Sequence, residues 1–229
     1  MDWKEKDEWG WKEFIWLMIL EFGVVIGFIK YFIKPLYSKW FGMELYAGTL
    51  MGLTMAIVLL SGVYFIALRP KNLTWHELGV KHFAKKDWKT IFALAILLLV
   101  GSVLIMILTS FLGNSYENSK TDALQKNVTT LTILIAFVSA AVISPIYEEI
   151  FYCGFLYRWL RTRLGMSWAL ILSSLIFTIV HLPTYNVMPV NFFSGILFAW
   201  AYERTGSIWP PVLIHGLTNG LMVILTATG

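Results

Sequence analysis

Charge is what this 229-residue chain has least of: Lys, Arg, Asp and Glu make up 14% of it, against 58% hydrophobic residues and a mean hydropathy of +0.68. Soluble domains carry about 25% charged residues, so an ordinary water-soluble globule is excluded. Cysteine is nearly missing. Cys153 is the single one, which rules out an internal disulfide. The formal charge of +4 lies between apolar segments and forms no clustered basic face, so no nucleic-acid partner is expected. The amino end is of mixed charge (Asp2, Lys4, Glu5, Lys6, Asp7, Glu8), and no small-residue cleavage site follows the first apolar run. That run is expected to be a retained span and not a signal peptide. Internal repeats, low-complexity tracts and a zincin His-Glu-x-x-His helix are missing too.

Long apolar runs are what the chain does have. A helix needs about 20 apolar residues to cross a hydrocarbon core, and in lipid an open strand edge cannot be satisfied. Seven runs read as candidate spans: Phe14–Phe32, Leu45–Leu68, Ile91–Leu112, Leu131–Phe151, Trp168–His181, Val187–Tyr202 and Ile208–Thr226. The expected fold is therefore all-α, a polytopic helical membrane protein of about seven to eight transmembrane helices. Residues 1–90 are expected to supply amino-terminal helices and a cytoplasmic loop, and residues 91–229 a functional core. The loop Arg69–Lys89 mixes Trp75, Leu78, Val80, Phe83 and Trp88 with lysines, which suits either an interfacial amphipathic segment or a solvated loop.

Orientation follows from the basic residues. Lys4, Lys6, Lys12, Arg69, Lys71, Lys81, Lys85, Lys86, Lys89, Arg158, Arg161, Arg163 and Arg204 fall on the amino-terminal side of the membrane. They are 13 of the 18 Lys and Arg, the other 5 being Lys30, Lys34, Lys39, Lys120 and Lys126. The positive-inside rule then puts the amino terminus in the cytoplasm of a plasma-membrane protein.

The first three spans offer little chemistry. The remainder holds Glu148, Glu149, His181, Asn191, His215 and Asn219 in or beside apolar helices. A charge at a helix centre costs about 2.5–3.5 kcal/mol on insertion scales, so intramembrane carboxylates read as functional by default. Spacing lets the groups meet. The fourth helix is expected to run on to about Leu164, with Gly165 turning the chain into a fifth helix that Pro183 ends. Glu149 lies 16 residues before Gly165 and His181 lies 16 after it. At 1.5 Å per residue both sit about 24 Å from the turn, on facing antiparallel helices. In the last span His215 and Asn219 share a face at i and i+4, with Gly216 and Gly220 leaving room for another helix.

A carboxylate and an imidazole can share a water, take its proton and aim it at a carbonyl. A second histidine and an amide can donate to the developing oxyanion. Glu148, His181 and His215 are also usable Zn2+ ligands, so a metal is allowed without being demanded.

At these residues the chain resembles the CPBP group, the CAAX proteases and bacteriocin-processing enzymes, also called the Abi family of intramembrane proteases. Its Glu-Glu-x-x-x-Arg motif falls on "EEIFYC", its Phe-x-x-x-His motif on Phe177 to His181, and its His-x-x-x-Asn/Asp motif on His215 to Asn219. The resemblance implies a membrane endopeptidase whose partners are membrane lipid and a peptide or protein substrate, prenylated for some members. It implies that Glu148 with His181 activates water and that His215 and Asn219 stabilise the oxyanion. Glu149 would be the second motif carboxylate and Phe177 a packing position. Members are described both as metalloproteases and as metal-free glutamate proteases. One departure stands out: Cys153 occupies the arginine position, four residues after Glu149 on the same face.

Two other readings compete with a peptidase. A catalytically weak scaffold or bacteriocin-immunity protein would use the same cavity for binding, and the missing arginine favours it. A small transporter would use Glu and His as a proton relay, but repeated halves with broken helices are not visible in the sequence.

Overall fold

The computed structural model describes residues 3–110, 119–182 and 187–228, which are helical with no strand among them. The helices are α1 (Trp11–Phe41), α2 (Glu44–Lys71), α3 (Lys85–Ser110), the short α4 (Ser119–Lys126), α5 (Thr130–Ile179), α6 (Met188–Thr205) and α7 (Trp209–Thr228). Five of these, α1, α2, α3, α5 and α7, are long and apolar enough to cross a membrane. Phe92, Ile96, Val103, Ile107 and Leu108 all point outward from α3. Water would not tolerate such a surface, and lipid does.

Two differences from the seven expected spans have physical causes. The fourth and fifth merge into α5, a helical hairpin whose arms, 130–164 and 166–179, meet at Gly165. There φ is +76° and ψ 174°, a backbone conformation that is nearly glycine's alone. The sixth corresponds to α6, which carries Glu203 and Arg204 and is packed inside the bundle along Ser194, Gly195, Leu197 and Phe198. Pro183, expected to end the second arm, lies outside the described residues.

The α5 hairpin is the centre of the bundle. Its second arm packs on α6, and α7 packs against α3, α6 and the first arm, while α2 lies along both α1 and the first arm. The amino end is strapped to the hairpin near its turn. Trp9 is buried with its indole N–H donating to the Ala67 carbonyl at 2.9 Å, Asp7 pairs with Arg163 at 2.6 Å, and Phe14 stacks on Trp159. The loop between α2 and α3 is neither flat on an interface nor solvated throughout. Leu78 is fully buried, its carbonyl accepts from Tyr202, and the Gly79 carbonyl accepts from the Ile208 N–H at 2.9 Å.

Candidate active site

Glu148 and Glu149 are adjacent on the first arm of α5, so their side chains leave the helix about 100° apart. Spacing from Gly165 matches Glu149 with His181. The structure instead brings Glu148 to His181 and sends Glu149 to His215. Height along an arm is fixed by residue count, but direction is not, and one residue of shift changes the direction far more than the height. Both carboxylates are buried.

His181 lies two residues beyond Ile179, where the second arm ends. Its Nδ1 is 2.6 Å from the Phe177 carbonyl, and Nε2 is 4.0 Å from Glu148 Oε2. A carbonyl only accepts, so Nδ1 carries the proton and the neutral ring presents the Nε2 lone pair to Glu148. A gap of 4.0 Å is too wide for a hydrogen bond and right for one water touching both groups. Glu148 Oε2 is buried with no hydrogen-bond partner among the described residues, so the acceptor this water would use is free.

Glu149 is answered twice. His215 Nδ1 lies 2.8 Å from Oε1, and the Cys153 thiol donates to Oε2 at 3.0 Å. The His215 ring is held flat by Phe198, stacked at 4.6 Å and 15°, and Phe177 packs edge-on to both. Arg158 and Arg161 do not stand in for the motif arginine: Arg158 is engaged by Glu77 and Arg161 by Glu203. A small cavity opens beside this group between Glu149, Cys153, Ser173, Phe177 and Phe198.

Asn219 enters through a flaw in the helix. Just before the glutamates, residues Val138–Ile143 widen into π-helical turns. There the Ala140 carbonyl looks to the N–H of residue 145, and Pro145 has none. The Asn219 amide fills the gap, donating to the Ala140 carbonyl at 3.0 Å. Helix α7 comes this close because Gly216 has no side chain: a Cβ there would sit 2.4 Å from the Ala141 carbonyl oxygen. The close approach expected of Gly216 and Gly220 is thus observed, and it sets His215 against Glu149. One amide hydrogen of Asn219 is committed to the backbone and the other remains for a ligand.

The first spans are not empty of chemistry, contrary to expectation. Glu21 of α1 is 2% exposed and accepts from the Tyr152 hydroxyl at 2.6 Å. Lys30, further along α1, donates to the carbonyls of Val180 and Leu182, at 3.3 Å for Val180. Both residues interrupt the apolar run of α1, the signal that singled out Glu148 and Glu149.

Among the described residues no group of three His, Cys, Asp or Glu side chains is gathered closely enough to hold a metal ion. Glu148 faces His181 while His215 is turned to Glu149, so Glu148, His181 and His215 do not converge on one point in this arrangement.

A helical membrane bundle with a buried carboxylate facing a half-buried imidazole, and a second, buried histidine beside them, defines a class, the intramembrane hydrolases. Residues 130–221 match the family model described as type II CAAX prenyl endopeptidase Rce1-like. The match takes in all three motifs, from Glu148 to Asn219, and makes this part of the chain similar to the CAAX-type membrane proteases. It is 29% identical over 227 residues to the membrane-embedded CAAX protease MroQ of Staphylococcus aureus (strain USA300), covering 92% of this chain and 89% of that protein. Over 113 residues it is 28% identical to YdiL of Bacillus subtilis (strain 168), named as a membrane peptidase, covering 49% of this chain and 45% of that one. No solved structure matches.

Proposed function

We propose that the chain cuts a peptide bond near the carboxyl end of a membrane-anchored peptide or prenylated protein, with Glu148 and His181 activating the attacking water. The observation that carries this reading is the 4.0 Å gap between Glu148 Oε2 and His181 Nε2, each with an unshared lone pair facing the other. Water held there gives its proton to one of the two as its oxygen adds to the scissile carbonyl. The resulting oxyanion takes hydrogen bonds from His215 Nε2–H and from the second Asn219 amide hydrogen. His215 offers that proton when the imidazole is doubly protonated, with Glu149 supplying the balancing charge through Nδ1. As the tetrahedral intermediate collapses, the proton taken from water passes to the departing amine, so the acid–base pair returns to its starting state. The Rce1-like match supports a prenylated substrate and the membrane bundle supports one presented from lipid. No step is routed through a metal.

The test is cleavage of lipid-anchored peptides by purified, reconstituted protein, with Glu148→Gln as control. Loss of acid–base help slows such reactions by about 10²–10⁴-fold. Glu148→Gln is expected to fall by that much while folding normally, and a chelator is expected to leave the wild type unchanged. A Glu148→Gln variant as fast as wild type would remove this mechanism. A second reading, a scaffold that binds without cutting, rests on Cys153 at the motif's arginine position. It predicts peptide binding with no turnover by the wild type.

A further inference from the structure

Helix α1 lies outside the region matched by the family model, yet two of its charged side chains reach the neighbours of the Glu148–His181 pair, Glu21 meeting Tyr152 and Lys30 the carbonyls that flank His181. We propose that Glu21 and Lys30 are positioning residues of the active site, Glu21 holding the Glu148 arm through Tyr152 and Lys30 holding His181 by capping its arm. The proposal rests on the hydrolytic role given above to Glu148 and His181.

Consider first the carboxylate side. Tyr152 is four residues after Glu148, hence on the same helical face. Its hydroxyl donates to Glu21 Oε1 at 2.6 Å in a buried contact between residues 131 apart in the chain. Helix α5 widens again into π-helical turns over Ile150–Tyr157, so its own ladder fixes this stretch less firmly than an α-helix would. A contact from a neighbouring helix supplies the missing constraint one turn from Glu148. Glu21 and Glu148 are also near enough to sense each other's charge, and each keeps a buried Oε2 with no hydrogen-bond partner among the described residues.

The histidine side needs a constraint even more. His181 stands past the last helical residue, where carbonyls lose their intrahelical partners and the backbone is held only by local turns. Lys30 donates to the carbonyls on either side of His181, those of Val180 and Leu182. A cation at a helix carboxyl end is favoured by the helix dipole as well as by these bonds. Glu21 and Lys30 are nine positions apart in one helical segment, Leu20–Ile33, which is itself π-helical. A single helix thus contacts both halves of the pair. No ion pair joins Glu21 to Lys30 among the described residues, so mutual neutralisation does not explain their presence in an apolar span.

Misplacing reacting groups by about 1 Å can slow an enzyme about 10²-fold, so loss of either contact is expected to act on kcat. The experiment uses the full chain in lipid vesicles cleaving an anchored peptide, with kcat, KM and thermal unfolding measured for Glu21→Leu, Tyr152→Phe, Lys30→Met and Lys30→Arg. Expected are a kcat loss of ~10-fold or more with little change in KM for the first three, and recovery by Lys30→Arg, which keeps a donor cation. Glu21→Leu with Tyr152→Phe is expected to be no slower than either alone, because both remove one contact. Tyr152→Phe deletes only a hydroxyl and keeps the test open if the α1 variants express poorly. Variants with lowered thermal stability but wild-type kcat per folded molecule would overturn the proposal and leave α1 a structural role. Glu148→Gln run in parallel isolates the underlying reading: if it is inactive while the α1 variants keep full kcat, the positioning claim alone fails.

Discussion

The Cys153 thiol donates to Glu149 Oε2 at 3.0 Å across one helical turn, at the position where the family motif carries arginine. With His215 on the other oxygen, Glu149 has both ends answered without a guanidinium. The donor, and not the thiol chemistry, is what the position supplies.

Cys153→Ser is therefore expected to keep both activity and stability close to wild type, since a hydroxyl donates in the same way. Cys153→Ala leaves a buried carboxylate oxygen unpaired, which costs about 1–3 kcal/mol, read as a lower unfolding temperature in detergent. Cys153→Arg restores the motif, and activity at or above wild type is expected in the peptide-cleavage assay. A dead Cys153→Ser variant that folds normally would show that sulfur itself matters.

The observed bond from Asn219 to the Ala140 carbonyl and its proposed role at the oxyanion are separable by mutation. Asn219→Ala is expected to lose about 1–3 kcal/mol of stability, because the Ala140 carbonyl loses its donor, and about 10²–10³-fold in kcat, because the oxyanion loses one. Adding Pro145→Ala returns a backbone N–H to the same carbonyl. The double variant is expected to recover its unfolding temperature and stay slow. Recovery of both properties would reduce Asn219 to a structural residue.

Gly216→Ala tests how His215 is placed. A Cβ there meets the Ala141 carbonyl oxygen at 2.4 Å, and that backbone atom cannot swing aside. Forced overpacking of this kind costs about 1–3 kcal/mol. Helix α7 is expected to shift outward, carrying His215 from Glu149, so stability and turnover fall together.

Orientation is checked with fused reporters. One near Lys85 is expected to read as cytoplasmic and one near Lys120 as external, since α3 separates the two. The reverse result would invert the assignment of every loop up to α5.

Much of this bundle was legible in the sequence because intramembrane polarity is conspicuous. Glu148, Glu149, His181, His215 and Asn219 were found as interruptions of apolar runs, and Gly165 as the turn that folds two of them together. Direction could not come from residue counting, although the motif resemblance pairs Glu148 with His181. Residue counts set Glu149 level with His181, but the side chain that turns toward that ring is Glu148, and the π-helical turns on both sides of the pair break the regular 3.6-residue register. Glu21 and Lys30 carried the same signal as the glutamates of α5. No motif surrounds them, and their partners lie more than a hundred residues away in the chain. The role of Pro145 was hidden for another reason: a missing N–H becomes visible only when its replacement, Asn219, is seen.

The long reach of α1 bears on how the protein is made. A ribosome delivers Glu21 and Lys30 to the bilayer first, while Tyr152 and the carbonyls of Val180 and Leu182 emerge 131, 150 and 152 residues later than their respective partners. During that interval the nascent α1 holds a bare carboxyl and a bare ammonium with no protein group to meet them. Until the α5 hairpin arrives, these groups are accommodated by other means, the glutamate by protonation and the lysine by reaching up to the interface. Formation of the Glu148–His181 pair and the contacts of α1 with its neighbours then both depend on the late arrival of α5.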